Sequence, residues 1–175
     1  AHINLGLALN KQGHIEEGIE HYLKALQINP NSDKAHYNLG LALNKQGQIE
    51  EAIQHYLKAL QTNPNFEEAH NNLGLAFNNQ GRTDVAIEHF LLALRIKPDF
   101  EEAHNNLGKI FNNQGRTDKA IDHLLLALRI KPDFEEAHIN LGLALNKQGH
   151  IEEGIEHYLK ALQINPNSDK AHYNL

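Results

Sequence analysis

The stretch Ala1–Lys34 reads AHINLGLALNKQGHIEEGIEHYLKALQINPNSDK and recurs along the whole chain. Each copy starts 34 residues after the previous one, and the later starts are Ala35, Ala69, Ala103 and Ala137. A fixed period of about 20–50 residues is typical of stacked repeat proteins. The period therefore predicts a single array over 1–175, with repeats at 1–34, 35–68, 69–102, 103–136 and 137–170 and a partial sixth helix at 171–175.

Within each copy the apolar residues follow helical spacing in two runs. In the first copy these runs are Leu5, Ala8 and Leu9, and then Ile19, Tyr22, Leu23 and Leu26. Gly13 lies between the runs, where a helix end favours glycine, and Pro30 follows the second run and cannot continue a helix. No run indicates a strand, so the pattern predicts an all-α chain of helix–turn–helix repeats.

Two further local signals concern helix starts and helix contacts. The spacing of a capping box, a polar residue three positions before a glutamate, predicts helix starts at three places. These are Asn65 with Glu68, Asp99 with Glu102, and Asp133 with Glu136. Gly6 and Gly18 fall where two antiparallel helices need close backbone approach, and one hairpin alone is too small to bury its apolar faces.

Composition argues against several classes of protein. Acidic residues number 22 against 16 basic ones, which gives a formal charge of −6 and argues against a nucleic-acid binder. No apolar stretch approaches the roughly 18 residues of a membrane span, and the absence of cysteine excludes disulfides and thiolate metal sites. Without methionine the chain looks like a segment of a longer protein, and without a signal peptide a cytoplasmic location is favoured.

A motif of seven positions recurs in every copy. In the first copy it is Leu5, Gly6, Leu9, Gly18, Tyr22, Ala25 and Pro30, and in the third it is Leu73, Gly74, Phe77, Ala86, Phe90, Ala93 and Pro98. This motif and its period resemble the tetratricopeptide repeat along the whole chain. The sequence departs from that family where its usual tryptophan is histidine, at His2, His36, His70, His104, His138 and His172. Two copies also have glycine, Gly18 and Gly154, as the small residue that opens the second helix.

The resemblance implies a right-handed α-solenoid superhelix in which the first helix of each repeat lines a concave groove. Such arrays are usually scaffolds that bind an extended peptide or a segment of a partner protein, and they need no cofactor. The resemblance also implies that one asparagine per repeat lies in the groove. These residues are Asn4, Asn38, Asn72, Asn106, Asn140 and, in the partial copy, Asn174.

A primary amide both donates and accepts, so this first asparagine column could pair with any peptide backbone. A similar asparagine ladder lines the peptide-binding groove of O-linked N-acetylglucosamine transferases, and the repeats are similar to those of that enzyme family. The alternative is that each asparagine pairs with the backbone of a neighbouring repeat and sets only the stacking.

Three other groups of residues are candidates for the same groove. A second asparagine column includes Asn44, Asn78 and Asn112, although solvated helix ends would explain it equally. A leucine column, with one lysine, could form a partly apolar floor or could pack adjacent repeats; it consists of Leu7, Leu41, Leu75, Lys109 and Leu143. Tyr37 lies beside it. The carboxylate clamp of related repeats is not expected, because the position of its arginine is asparagine in every copy.

The 13 histidines fall mainly into two columns, the tryptophan-replacing one and a second one. The second column is His21, His55, His89, His123 and His157. Glu17 and His21 have the spacing of an ordinary helix-surface pair, which explains them better than a metal site because no third ligand is obvious. We expect the first column to be half-buried and neutral, so that acid loosens the stack.

No pattern in the sequence indicates catalysis. There is no nucleophile elbow and no phosphate-binding glycine-rich loop, and the carboxylates fall in helix first turns. The chain is therefore not expected to be an enzyme, and neither metal nor cofactor is expected. A rival to the binding scaffold is a structural array that self-associates end to end, because Ala1–Leu39 recurs unchanged as Ala137–Leu175. Leu91, Leu92, Leu125 and Leu126 would add apolar surface for lateral contact.

Overall fold

The structure is a computed structural model that describes all residues, 1–175. It contains eleven α-helices and no strand, so the predicted all-α class of helix–turn–helix repeats is confirmed. The helices are α1 (His2–Lys11), α2 (Ile15–Ile28), α3 (Asp33–Lys45), α4 (Ile49–Thr62), α5 (Glu67–Asn79), α6 (Thr83–Ile96), α7 (Glu101–Asn113), α8 (Thr117–Ile130), α9 (Glu135–Gln148), α10 (Ile151–Ile164) and α11 (Asp169–Asn174). None of them has the length and apolar character that crossing a bilayer requires.

The chain divides into two compact units. Ala1–Ile96 holds α1–α6, and Lys97–Leu175 holds α7–α11. In both units the odd-numbered helix is the first helix of a repeat and the even-numbered helix is the second. Within each unit the second helix of one repeat packs against the first helix of the next, as α2 does on α3 and α8 does on α9.

Each hairpin turns at a glycine, as the sequence predicts. The glycines have φ between +74° and +87°, and they are Gly13, Gly47, Gly81, Gly115 and Gly149. A Cβ added to any of them would meet nothing within 4 Å, so the backbone angle alone requires glycine there. The N–H of His14 then donates to the carbonyl of Leu9 at 3.0 Å and closes the end of α1.

The helix starts differ from the capping-box prediction, which is wrong at Asn65, Asp99 and Asp133. At those starts the cap position holds a phenylalanine with no side-chain cap bond: Phe66, Phe100 and Phe134. The phenylalanine position packs instead of capping: the Phe66 ring centroid lies 4.6 Å from that of Tyr37. Ser32 is a true cap, because its Oγ accepts from the N–H of Ala35 at 3.2 Å.

The two helices of a repeat meet at a glycine, also as predicted. A Cβ on Gly142 would lie 2.5 Å from Cε1 of Tyr158, and one on Gly40 would lie 2.7 Å from Cε1 of Tyr56. Both rings are buried. The first helix therefore needs glycine at this position for the aromatic ring of the second helix to fit.

The glycines that open α2 and α10 accommodate a side chain from the preceding helix. The Oδ1 of Asn10 occupies the place that a Cβ on Gly18 would take, and Asn146 does the same at Gly154. In the second repeat the residue equivalent to Gly18 is Ala52, and the residue equivalent to Asn10 is Asn44. Ala52 has a Cβ at this place, and there Asn44 is exposed. The departure from the family pattern at Gly18 and Gly154 thus has a packing cause.

Polar side chains join consecutive repeats at a constant separation of 30 residues. In three repeats the glutamine at the end of the first helix donates to an acidic residue of the previous repeat, as Gln46 Nε2 does to Glu16 Oε1 at 2.8 Å. The same bond joins Gln80 to Glu50 at 3.1 Å, and Gln148 to Asp118. These bonds fix each repeat on its predecessor within a unit.

Candidate functional site

The first asparagine column lies along the first helices, and its amides turn back onto their own helix. Asn38 Nδ2 donates to the carbonyl of Lys34 at 2.7 Å, and Asn72 Nδ2 donates to that of Glu68 at 2.9 Å. Asn4 is exposed, Asn38 and Asn140 are largely buried, and Asn72 and Asn106 are half-buried. Each of these two amides therefore uses one of its two N–H donors on its own helix.

Two members of this column also contact the preceding repeat. Asn72 Nδ2 lies 3.0 Å from the hydroxyl oxygen of Tyr37, to which it donates. Asn140 Nδ2 donates to Oδ1 of Asn105 at 2.9 Å. These partners are side chains, whereas the internal alternative expected from the sequence was the backbone of a neighbouring repeat.

The leucine column exposes apolar surface unevenly. Leu7 and Leu75 are 37% and 36% exposed, whereas Leu41 and Leu143 are half-buried. Lys109 is exposed, and its Nζ lies 3.7 Å from Oε1 of Glu136 on the next first helix. The column thus has apolar members in both units and one cation in the second unit.

Tyr37 is held by packing beside this column. Its ring centroid lies 4.6 Å from that of Phe66 and 6.1 Å from that of Tyr56. Burial, followed by the nearby charge of Glu68, raises the pKa of Tyr37 to about 12. Tyr37 is therefore a neutral phenol whose oxygen accepts from Asn72.

The second asparagine column adopts different arrangements in different repeats. Asn44 is exposed, and Oδ1 of Asn78 accepts from Oγ1 of Thr83 at 3.5 Å. Asn112 is only 6% exposed, and its backbone carbonyl accepts from Lys147 Nζ at 2.9 Å. Asn112 therefore offers little side-chain surface to a partner.

The structure brings the two histidine columns together, a pairing that was not predicted from the sequence. In every repeat a histidine of the first helix lies with its Nδ1 at 2.9–3.0 Å from the Nδ1 of a histidine of the second helix. The pairs are His2–His21, His36–His55, His70–His89, His104–His123 and His138–His157. The signal in the sequence was the constant separation of 19 residues.

The hydrogen bonds of a pair define its proton positions. His36 Nε2 lies 2.9 Å from the carbonyl of Pro30, so Nε2 carries a proton and donates. In neutral His36 the Nδ1 is then an acceptor, and His55 donates to it from its own Nδ1. The same bond to a proline carbonyl occurs at His70, His104 and His138. Each of these pairs is thus complete with both rings neutral.

The pKa values of the paired histidines of the second to fifth repeats are lowered, and the first-column members of these repeats are buried rather than half-buried as expected. Burial, with the neighbouring histidine as the next cause, lowers the pKa of His55, His89 and His157 to about 4. Burial also lowers the pKa of His36, and the carbonyl of Pro30 opposes that shift.

The predicted pair of Glu17 with His21 does not form, because His21 turns to His2 instead. Glu17 Oε1 lies 2.9 Å from Nδ1 of His14, and Glu153 pairs with His150 in the same way. No group of three or more histidine, aspartate or glutamate side chains is arranged to hold a metal ion.

Family models of the TPR repeat match 6–47, 40–81, 76–115 and 108–149 of this chain. A model of the tetratricopeptide repeat matches 135–168, so the matches together cover nearly the whole sequence. A comparison with curated proteins finds no match.

Several solved structures share the fold. A crystal structure of MamA has a TM-score of 0.78 and 27% identity, over 92% of this chain and 94% of that one. PilF of Pseudomonas aeruginosa has a TM-score of 0.90 and 22% identity, over 99% and 79%. YrrB, a TPR protein with an unusual peptide-binding site, has a TM-score of 0.73 and 22% identity, over 98% and 89%. Each of these three similarities covers at least 92% of this chain.

Proposed function

This chain belongs to the tetratricopeptide repeat family, and from that premise we propose that it binds an extended segment of a partner protein along the first helices of its repeats. Proteins of this family are generally non-enzymatic scaffolds for protein interaction. The observation that carries the proposal is the side-by-side column of leucines and asparagines on those helices. Leu7 and Leu75 supply apolar surface there, and the asparagines supply polar atoms beside it.

The hydrogen bonds of the asparagine amides indicate which hydrogen-bonding group of the ligand would contact them. Asn72 Nδ2 donates to both Glu68 and Tyr37, so its remaining capacity is the acceptor Oδ1, whereas Asn38 keeps one N–H besides its Oδ1. The acceptor Oδ1 is therefore the group that both asparagines can offer to a ligand. An extended backbone has an N–H at every residue other than proline. The proposed contact is therefore an N–H of the ligand donating to Oδ1 of the asparagine, with ligand side chains packing on the leucines.

The repeat spacing sets the register of such a contact. Packed helices lie about 8–10 Å apart, and an extended chain advances about 3.3 Å per residue. One asparagine would then meet about every third ligand residue. Proline at a ligand position that meets an asparagine would remove the N–H donor, so the proposed site would disfavour peptides with proline at that position.

A pulldown from a random peptide library tests the proposal. We expect the double variant Asn38→Ala/Asn72→Ala to lose binding across unrelated peptides, because the contact is to backbone. Gln54→Ala is the matched control, since Gln54 is an exposed amide on the second helix α4. Circular dichroism verifies that both variants remain helical. Unchanged binding by the double variant would show that the asparagine column does not contribute to peptide binding.

A second candidate function is self-association, with another copy of this chain as the partner. Its support is a leucine exposed at the same position of four second helices. These residues, 44–50% exposed, are Leu23, Leu91, Leu125 and Leu159. Sedimentation tests this candidate: growth of the particle with concentration, abolished by Leu125→Gln, supports it, and a monomer at all concentrations rules it out.

A further inference from the structure

A cavity of about 410 Å³ opens beside the histidine pair of the second repeat, away from the asparagine and leucine columns. Its walls include Leu26 of α2, the turn residues Pro30 and Asn31, His36 of α3, and His55 and Lys58 of α4. No carboxylate lines it, although the chain carries six more acidic than basic residues. The charged or titratable groups that face the cavity are therefore Lys58 and the two imidazoles.

The hydrogen bonds of the pair identify the one nitrogen that is available to a ligand. His36 uses Nε2 on the carbonyl of Pro30 and Nδ1 on His55, so both of its nitrogens are engaged. His55 uses Nδ1 on His36, which leaves Nε2 as an unprotonated acceptor with no bond inside the chain. A proton that enters the pair at His55 Nε2 breaks none of these bonds. It converts an acceptor into a charged donor at the cavity wall.

We propose that this cavity binds an oxyanion, a phosphoryl, sulfate or carboxylate group, through Nζ of Lys58 and the protonated Nε2 of His55. The ammonium supplies a permanent charge, and the imidazolium supplies a directed N–H bond. Binding takes up one proton from solution and breaks no covalent bond. A neutral His55 leaves Lys58 as the only donor of the two, so the site binds most strongly when His55 is charged.

The same arrangement occurs in the second unit. A cavity of about 620 Å³ is lined there by His138, His157, Lys160 and Arg129, with Asp133 as its one carboxylate. In the first unit a smaller cavity, about 340 Å³, has His70 beside Arg95. The residue of the third repeat that is equivalent to Lys58 is Leu92, which carries no charge. Arg95 lies one helical turn after Leu92, so the third repeat also has a cation here, although of another type and at another position. A cation beside the first-column histidine thus recurs in three repeats, and the full set of two histidines and a lysine is present in the second and fifth repeats.

Proton uptake and anion binding are coupled in this site. Burial, then His36 and then Lys58 lower the pKa of free His55 to about 4. An anion between His55 and Lys58 opposes the effect of the lysine charge, so it raises that pKa. By linkage the oxyanion then binds more tightly as the pH falls towards the pKa of the bound state.

An NMR titration of the full chain with sodium sulfate, at ionic strength held constant with sodium chloride, tests the proposal. We expect saturable shifts of the imidazole signals of His55 and His36. We expect affinity to be at least about fivefold higher at pH 5.0 than at pH 7.5, the lower end of typical coupling between sites. Sodium acetate is the second arm: binding of sulfate alone identifies a tetrahedral oxyanion, and binding of both identifies any oxyanion.

Variants assign the two donors. Lys58→Gln is expected to weaken sulfate binding at least about fivefold at both pH values, and His55→Gln is expected to abolish the pH dependence. Lys45→Gln is the matched control, because it removes an exposed lysine of the same unit that does not line the cavity. Absence of saturable shifts at His55 overturns the proposal, as does equal weakening by Lys45→Gln and Lys58→Gln.

Discussion

His36 and His55, on the two helices of one repeat, share a single hydrogen bond between Nδ1 atoms 2.9 Å apart. The bond requires one of these nitrogens to be unprotonated, so two imidazolium rings cannot keep it. The four equivalent pairs are subject to the same limit. The repeat therefore contains an acid-sensitive contact at the position where its family usually has tryptophan.

Acid is expected to lower the stability of the chain. The folded-state pKa of His55, His89 and His157 is about 4, below the ordinary value of 6.5, so the unfolded chain binds more protons between these values. Stability is then fully present above about pH 6.5 and is lost as the pH falls towards 4. We expect thermal unfolding by circular dichroism to show a melting temperature at least about 5 °C lower at pH 4.5 than at pH 7.5, because 1 kcal/mol moves it by about 2–4 °C. Equal melting temperatures would contradict this.

Two glycines of the fifth repeat should respond oppositely to alanine. A Cβ at Gly142 meets the buried ring of Tyr158 at 2.5 Å, so Gly142→Ala is expected to cost about 1–3 kcal/mol through overpacking. At Gly154 the obstacle is the flexible side chain of Asn146, and alanine favours the helix by about 1 kcal/mol. Gly154→Ala should thus match or exceed the original stability in urea unfolding. The reverse order of the two variants would refute this account of the packing.

The helix caps give a matched pair of substitutions in one unit. Ser32 accepts the N–H of Ala35, so Ser32→Ala is expected to cost about 0.5–2 kcal/mol of unfolding free energy. Asn65 occupies the predicted but unformed cap of α5, and Asn65→Ala should change stability by less than about 0.5 kcal/mol. Urea denaturation measures both. A larger loss at Asn65 than at Ser32 would restore the capping-box prediction.

The hydroxyl of Tyr37 joins two consecutive first helices. Tyr37→Phe keeps the ring against Phe66 and removes the acceptor for Asn72 Nδ2, so we expect a loss of about 1 kcal/mol. Absorbance titration of the unmodified chain should detect ionisation of Tyr37 near pH 12, above the ordinary tyrosine value of 10.0. A variant as stable as the parent would indicate that this bond contributes nothing net.

The period and the backbone requirements of single residues predicted the fold well. The turn glycines and Pro30 act locally, and their effect does not depend on a partner elsewhere in the chain. The failed caps show the limit of local signals: the phenylalanine of each start takes the cap position, as Phe66 does beside Tyr37. Contact with a ring on a separate helix outweighed a bond worth about 1 kcal/mol there.

The candidate site was less predictable because its polar atoms have competing partners. The sequence around an asparagine such as Asn72 is the same whether its amide binds a ligand, its own helix or Tyr37. The sequence therefore does not distinguish these partners. The pairing of His36 with His55 likewise depends on the angle and register at which two helices pack. A separation of 19 residues indicates a contact only once both helix bounds are known.

Three hydrogen bonds between consecutive repeats join residues that are 30 positions apart: Gln46 to Glu16, Gln80 to Glu50, and Gln148 to Asp118. An insertion or deletion of one residue inside the first helix of a repeat would rotate the glutamine at its end by about 100° about the helix axis and separate it from its partner. Gain or loss of an entire 34-residue module preserves all of these bonds. The junctions between repeats are thereby compatible with changes in length by whole modules and sensitive to changes by single residues within a first helix.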